Sequence, residues 1–349
     1  MDAIPGRMSS VQSEVKWLHS LLNDRRPHMG IDTSSVSVLI VTYNSDHVVE
    51  DCLLPLPSDS EVLVVDNLST DLSIEKVTQV RPQAIVIANS SNAGFARAVN
   101  LAAEHAHGDY LLLLNPDARI EENAIVTLLR DMETDPSIGI AAPLMTDSHG
   151  AFKVLGAGFA PTIKNMALHG FGISRVAPRN QKLEGHHLYR DSNLDSVREL
   201  DWVSGGCMLV RRSVWEALGG LTTRWFMYAE DVEFCLRARQ LGTKVILDPG
   251  AIAVHDFGGS SKDVAGSTNT VWIVNLYDLY CSTMASSRVA CLVWKWTVAS
   301  GFLIRAAAFR LQGIVRPSAR RSADANVSRY RAFATALLRA APARRATRT

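Results

Sequence analysis

The side chains in this 349-residue sequence best suited to chemistry are oxygen-bearing groups placed directly after apolar runs. Thr42, Tyr43 and Asn44 close the run that starts at Val36, Asp66 follows Glu61–Val65, Asn92 lies just past Ala84–Ala88, and Asp117 follows Tyr110–Leu114. Hydroxyls and amides gathered in this way can wall the base and ribose of a nucleotide, and Asp66 can accept from a pyrimidine N–H. A diphosphate also needs its charge neutralised, and Mg²⁺ or Mn²⁺ does this with oxygen ligands from one or two carboxylates and the phosphates themselves. Asp117 is the first candidate ligand. Each residue also has a plainer reading, as a turn former after a strand or, for Asp117, as a helix cap before Glu121 and Glu122. Turn formation does not explain why all of them converge.

The elements that must position these groups follow from the apolar pattern. Val36–Asn44, Glu61–Val65, Ala84–Ala88 and Tyr110–Leu114 read as buried strands. Helical segments are expected between them at Val48–Leu54, Ser73–Val80 and Phe95–His107. Alternation of this kind implies βαβ crossovers and an α/β fold with a Rossmann-like, mostly parallel sheet flanked by helices. Ligands bind such sheets at the carboxyl ends of the strands, where the polar residues lie. From Pro143 to about Asp195 no period is visible, and an irregular acceptor-side or lid region is expected. Leu200–Arg212 reads as a turn entering a strand, Ser213–Leu218 and Phe226–Leu241 as helices, and Lys244–Leu247 as a short strand leading to His255.

Composition narrows the class. With 47% hydrophobic and 20% charged residues the chain can bury a full core unaided. A net charge of +1 gives no hint of a nucleic-acid partner. Five scattered cysteines without a CxxC pair fit a reducing compartment. Residues 1–34 form a flexible extension with no apolar run fit for secretion, although Val15–Leu22 can form a short amphipathic helix; the expected location is the cytoplasm. The first strand lacks the G-x-G-x-x-G turn of a dinucleotide-binding oxidoreductase. Val289–Ile304 is apolar but shorter than a spanning helix, with Lys295 in its middle and arginines after it. It reads as an interfacial helix touching an anionic membrane at its inner face, or equally as a packing helix with a basic tail.

Taken in order, Val41–Asn44, Val65–Asp71, Asn89–Phe95 with Asn100, Leu114–Asp117, Trp202–Cys207, Phe226–Glu233 and His255 resemble the family 2 glycosyltransferases of GT-A fold, in particular their bacterial rhamnosyltransferase-like branch. The resemblance spans about residues 36–260. It implies a catalytic domain over 35–262, a helical, basic carboxyl-terminal extension over 263–349, and inverting transfer of a sugar from a nucleotide-diphosphate donor to a glycan or lipid-linked acceptor. It implies donor contacts at Asp66, Gly94, Asn100 and Asn115 as well, with Asp117 closing a DxD-like metal motif whose first position is Asn115 here. Glu230-Asp231 matches the pair that holds the general base, with Asp231 first; the same acids also suit a helix amino terminus. Trp202, Gly205 and Gly206 match the acceptor-side floor, where a ring can stack on a sugar and glycines permit close approach. His255 matches a late histidine that can complete the metal site or touch the diphosphate, and Asp256–Ser261 a loop closing over the donor. The alternative is a protein that binds nucleotide sugars without turnover.

Overall fold

The computed structural model describes residues 31–148, 154–189, 192–255 and 268–341. The helix expected at Val15–Leu22, most of the expected 1–34 extension and the loop Asp256–Ser261 fall outside these residues. In chain order the elements are β1 (Val36–Thr42), α1 (Val49–Leu53), β2 (Glu61–Asp66), α2 (Ser73–Val80), β3 (Ile85–Ala88), α3 (Phe95–His105), β4 (Tyr110–Leu114), β5 (Ala118–Ile120), α4 (Glu122–Thr134) and β6 (Ile138–Thr146). There follow β7 (Val154–Gly158), α5 (Ile163–Gly170), α6 (Ile173–Val176), β8 (His187–Tyr189), β9 (Arg198–Leu200), β10 (Trp202–Val203), β11 (Cys207–Arg211) and α7 (Arg212–Leu218). The last are α8 (Glu230–Gln240), β12 (Lys244–His255), α9 (Val271–Leu279), α10 (Arg288–Val315) and α11 (Arg320–Arg339).

Among the described residues a nine-stranded sheet runs β3-β2-β1-β4-β11-β6-β12-β5, with β9 paired to β12. Its first four strands are parallel, as the alternation predicts. Beyond β4 the sheet is mixed, because β11 returns antiparallel against β4 and β6, β6 and β12 are parallel, and β5 and β9 are antiparallel to β12. Strand β4 is buried along its whole length, including Leu111–Leu114, which suits a central strand covered on both faces. Burial of each such leucine contributes about 1.5–3 kcal/mol.

Register decides which polar residues meet. Thr42 pairs with Asp66 across β1 and β2, so two strand ends finish level. Cys207 pairs with Leu114, which brings Gly206 beside Asn115. His255 pairs with Ala118, which brings it beside Asp117. The strand expected at Lys244–Leu247 continues to His255 through a register shift between Asp248 and Ile252; Pro249 and Gly250 interrupt its pattern in sequence but only bulge it in space.

The stretch expected to be irregular contains order of its own. Strands β7 and β8 lie there with α5 and α6, and pair with β10 beyond it in a second sheet, β10-β7-β8. Its strands are two to five residues long, too short to display a period. Helix α5 is capped by Thr162, whose Oγ1 accepts from Asn165 N at 3.1 Å. Helix α10, 28 residues long and capped by Ser287, crosses α5 where Gly301 meets Gly170. A Cβ on Gly301 would stand 2.6 Å from the Gly170 carbonyl carbon, so the crossing needs the glycine. Trp294 on α10 is fully buried and donates its indole N–H to Pro161 O at 2.7 Å. Lys295 is buried too. Its Nζ donates to Ala340 O at 3.0 Å, using its charge on the carboxyl end of α11. Thr33–Thr349 groups as one unit.

Candidate active site

The donor end is built around buried carboxylate and amide groups. Asp66 accepts from the Thr42 hydroxyl at 2.8 Å, from Ser69 N at 2.8 Å and from the Ser69 hydroxyl at 2.5 Å. These bonds fold the chain after β2 back over the end of β1. Asn44, with φ +51°, receives Thr70 N on its Oδ1 at 2.8 Å, while its own N–H donates to Ser69 Oγ at 2.8 Å. Tyr43 is 48% exposed beside this loop. Asn92 Oδ1 accepts from Gly94 N at 3.1 Å, and Gly94 has φ +82° with the Phe226 carbonyl 2.5 Å from where a Cβ would be. Glycine is required there by both criteria. Asn100 lies apart from this group. Its amide donates to Leu221 O at 2.8 Å and accepts from Leu221 N at 2.9 Å, clamping the turn after α7.

The second cluster joins residues 115, 117, 206 and 255. Asn115 N donates to Gly206 O at 2.9 Å, and a Cβ on Gly206 would lie 3.3 Å from His255 Cε1 and 3.4 Å from Asn115 Nδ2. His255 Nε2 and Asp117 Oδ1 lie 3.0 Å apart, and both side chains are buried. An oxygen and an imidazole nitrogen this close form a two-donor set. Among the described residues no group of three or more His, Cys, Asp or Glu offers a fuller cage. The pair fits a cation that takes its remaining ligands from phosphate and water, as Mg²⁺ and Mn²⁺ do.

The candidate base stands one residue away from this cluster. Gly205 N donates to Asp231 Oδ2 at 3.1 Å and Val232 N to Asp231 Oδ1 at 2.8 Å. Glu230 is buried, and its Oε2 has no hydrogen-bond partner. Burial first, and then the Asp231 charge, push the Glu230 carboxyl far above the usual carboxylate range. Burial raises Asp231 as well, but the two backbone donors favour its anion. Burial thus raises both carboxyls, while the backbone donors on Asp231 oppose the rise there. Helix α8 begins at Glu230, later than the expected Phe226, because Tyr228 and Ala229 take φ +71° and +79°. Two consecutive left-handed residues other than glycine store strain at this turn.

Trp202 is 4% exposed, with its indole N–H on His186 O at 3.0 Å and one face stacked on the His186 ring at 4.8 Å. The ring expected to stack on a sugar is packed as a wall of the site.

A sequence model of the family described as glycosyl transferase family 2 matches residues 37–218, more than half of the chain. The chain belongs to this family. As a family 2 glycosyltransferase it is 30% identical over 239 residues to the N-acetylglucosaminyl-diphospho-decaprenol L-rhamnosyltransferase of Mycobacterium tuberculosis, covering 64% of this chain and 76% of that one. It is 24% identical over 231 residues to the rhamnosyltransferase WbbL of Escherichia coli, covering 63% and 83%. Its fold matches the mannosyltransferase PcManGT of Pyrobaculum calidifontis, solved with GDP-Man and Mn²⁺, at TM-score 0.53 and 16% identity over 94% of this chain and 92% of that one. The α/β architecture with a carboxyl-terminal helical region is thus that of a GT-A glycosyltransferase.

Several residues around this glycosyltransferase's candidate site were not singled out in sequence. Asn67 is buried, donates to Gly94 O at 3.3 Å and accepts from Asn89 Nδ2 at 2.8 Å, tying β2 to the loop before α3. Asn275 on α9 donates to Met227 O at 2.8 Å and Tyr228 O at 3.2 Å, holding the strained turn from outside. Asp278, one helical turn on, accepts from Trp225 Nε1 at 2.9 Å and pairs with Arg224 at 2.5 Å. Asn67 adjoins Asp66 in the quoted motif and was findable there. Asn275 and Asp278 sit in an apolar helix with no motif around them.

Proposed function

We propose that this glycosyltransferase moves a rhamnose-like or other hexose from a nucleotide-diphosphate donor to a hydroxyl of a glycan or lipid-linked acceptor in cell-envelope synthesis, with inversion at the anomeric carbon. One observation carries the reading: Gly205 and Gly206, adjacent in the chain, meet Asp231 on one side and the Asn115, Asp117 and His255 cluster on the other. The two glycines, lacking side chains, let the candidate base and the candidate phosphate-binding centre pack against adjacent residues of one segment. Asp231, anionic and fixed by two N–H donors, takes the proton of the attacking hydroxyl. Tyr43, Asn44, Thr42 and Asp66 frame the base end, with Asn92, Gly94 and Asn67 shaping the adjoining loop. Asp117 and His255 would hold a divalent cation, which when bound neutralises charge on the leaving diphosphate. The rhamnosyltransferase relatives favour the sugar class, and the decaprenol-linked acceptor in the name of the mycobacterial relative favours a lipid carrier. Asp231→Asn should lower kcat by about 10²–10⁴-fold while donor binding persists. Proton NMR of the wild-type product should give the opposite anomeric configuration to the donor; retention would refute the mechanism.

We also propose that α10 rests on the anionic inner face of a membrane. The helix is long and apolar enough to cross one by length and composition, yet 39% of its most apolar window is buried. Its other face leaves Val289, Leu292, Trp296, Leu303, Leu311 and Ile314 exposed at helical spacing, with Arg310, Arg316, Arg320 and Arg321 nearby in sequence. Trp296→Glu with Leu303→Glu should abolish sedimentation with phosphatidylglycerol vesicles while the protein stays folded by circular dichroism. Undiminished sedimentation would count against the helix as the contact.

A further inference from the structure

A cavity of about 570 Å³ lies between α10, α11 and the acceptor-side elements α5, α6 and β8. Arg175, Arg305 and Arg329 line it, and none of the described residues around it is Asp or Glu. Arg305 lies deepest of the three. It donates to His169 O at 3.2 Å and to the Tyr330 hydroxyl, with its guanidinium 4.1 Å from the centre of the Tyr330 ring. Arg329 donates to Asn326 Oδ1 at 2.6 Å. All of these partners are neutral. Burial, together with the like charges of Arg175 and Arg329, holds the Arg305 guanidinium below its ordinary range. His169 adds no compensation and no charge, since burial keeps it neutral. Three guanidinium groups converging on one cavity without a carboxylate are the arrangement that a phosphate completes, because each can give charge-assisted, often bidentate hydrogen bonds.

The cavity is joined to the candidate active site by rings. His187 lines it and sits edge-on to Trp202 at 5.1 Å, and Trp202 begins the segment that carries Gly205 and Gly206. Phe302 and Phe309 on α10 and Phe333 on α11 give the cavity an apolar lining. We infer that this cavity binds the phosphate or diphosphate through which the acceptor sugar is linked to its lipid, with the guanidinium groups on the phosphate and the phenylalanines along the first part of the chain. The inference rests on the transfer reading above and specifies which part of the acceptor this chain recognises.

The test uses the full chain and two exposed positions, Arg175→Gln combined with Arg329→Gln, which leave the half-buried Arg305 in place. Inorganic pyrophosphate is titrated calorimetrically in EDTA, which removes binding through a metal. Steady-state kinetics then compare decyl diphospho-N-acetylglucosamine with decyl N-acetylglucosaminide as acceptors. The double variant should weaken pyrophosphate binding and raise KM for the diphosphate acceptor by about tenfold each. KM for the phosphate-free acceptor and for the nucleotide sugar should not move. Equal changes for both acceptors, or unaltered pyrophosphate binding, would overturn the inference. Loss of sedimentation with phosphatidylglycerol vesicles at unchanged acceptor KM would assign the arginines to bilayer headgroups and overturn it too. Should the wild type use neither acceptor, the transfer reading fails on that count, and the pyrophosphate titration alone decides the anion site.

Discussion

At the scale of single residues, neighbouring carboxylates are separated in role by their hydrogen bonds. Asp231 receives a backbone N–H on each of its two oxygens, whereas the buried Oε2 of Glu230 receives none. Both carboxyls are raised by burial, but only Glu230 also feels its neighbour's charge as a leading cause. A base with a raised pKa becomes competent only as pH rises through that value, so the acid limb of kcat/KM should stand above the ordinary aspartate range. Glu230→Gln replaces a neutral carboxyl by a neutral amide of similar shape. It should keep kcat within about tenfold of wild type and leave the acid limb where it is; a loss as large as that of Asp231→Asn would move the base to Glu230. Sequence made the pair visible and ranked Asp231 first, but one of the two backbone donors on it comes from Gly205, 26 residues earlier in the chain.

At the scale of elements, the turn before α8 shows how a site is aimed. A helix running from Phe226 would carry Glu230 and Asp231 inside a regular turn. The left-handed Tyr228 and Ala229 instead start the helix at Glu230 and turn the chain so that Asp231 meets Gly205. Helix α9 holds that turn through Asn275 and Asp278. Ala229→Gly suits the backbone and should change unfolding stability by no more than about 1 kcal/mol, because relief of strain offsets the lost methyl group and the added chain entropy. Ala229→Val puts a branched side chain at φ +79° and should cost about 2–3 kcal/mol, read by urea unfolding. Equal stability of the two variants would remove strain from the account. None of this was legible beforehand, since neither residue is glycine and nothing local marks the reversal.

At the scale of the whole molecule, the carboxyl-terminal helices are part of the packing around α5. Trp294 reaches Pro161, and Gly301 lets α10 touch α5. Trp294→Ala should therefore lower stability by about 3–5 kcal/mol and melt the protein in one transition by calorimetry. A separate early transition for the helices, with the rest unaffected, would show them to be an independent appendage. The same packing places the arginine-lined cavity between α10, α11 and α5.

The sequence by itself determined the parallel half of the sheet, the polar residues at its strand ends and the family. Apolar runs ended by Asn, Asp or Thr are local patterns, and periodicity within five to nine residues is enough to read them. Only the tertiary structure decided that Asn100 clamps a turn, that Trp202 is packed as a wall, that the region after Pro143 holds a second sheet, and that Lys295 caps a helix instead of interrupting one. Each of these depends on partners tens to more than a hundred residues distant, and hydrogen-bond partners at that separation are set by strand register and helix crossing. The two glycines unite both kinds of information. Sequence marked them as a place of close approach, and the fold brought Asp231 to one and His255 with Asn115 to the other.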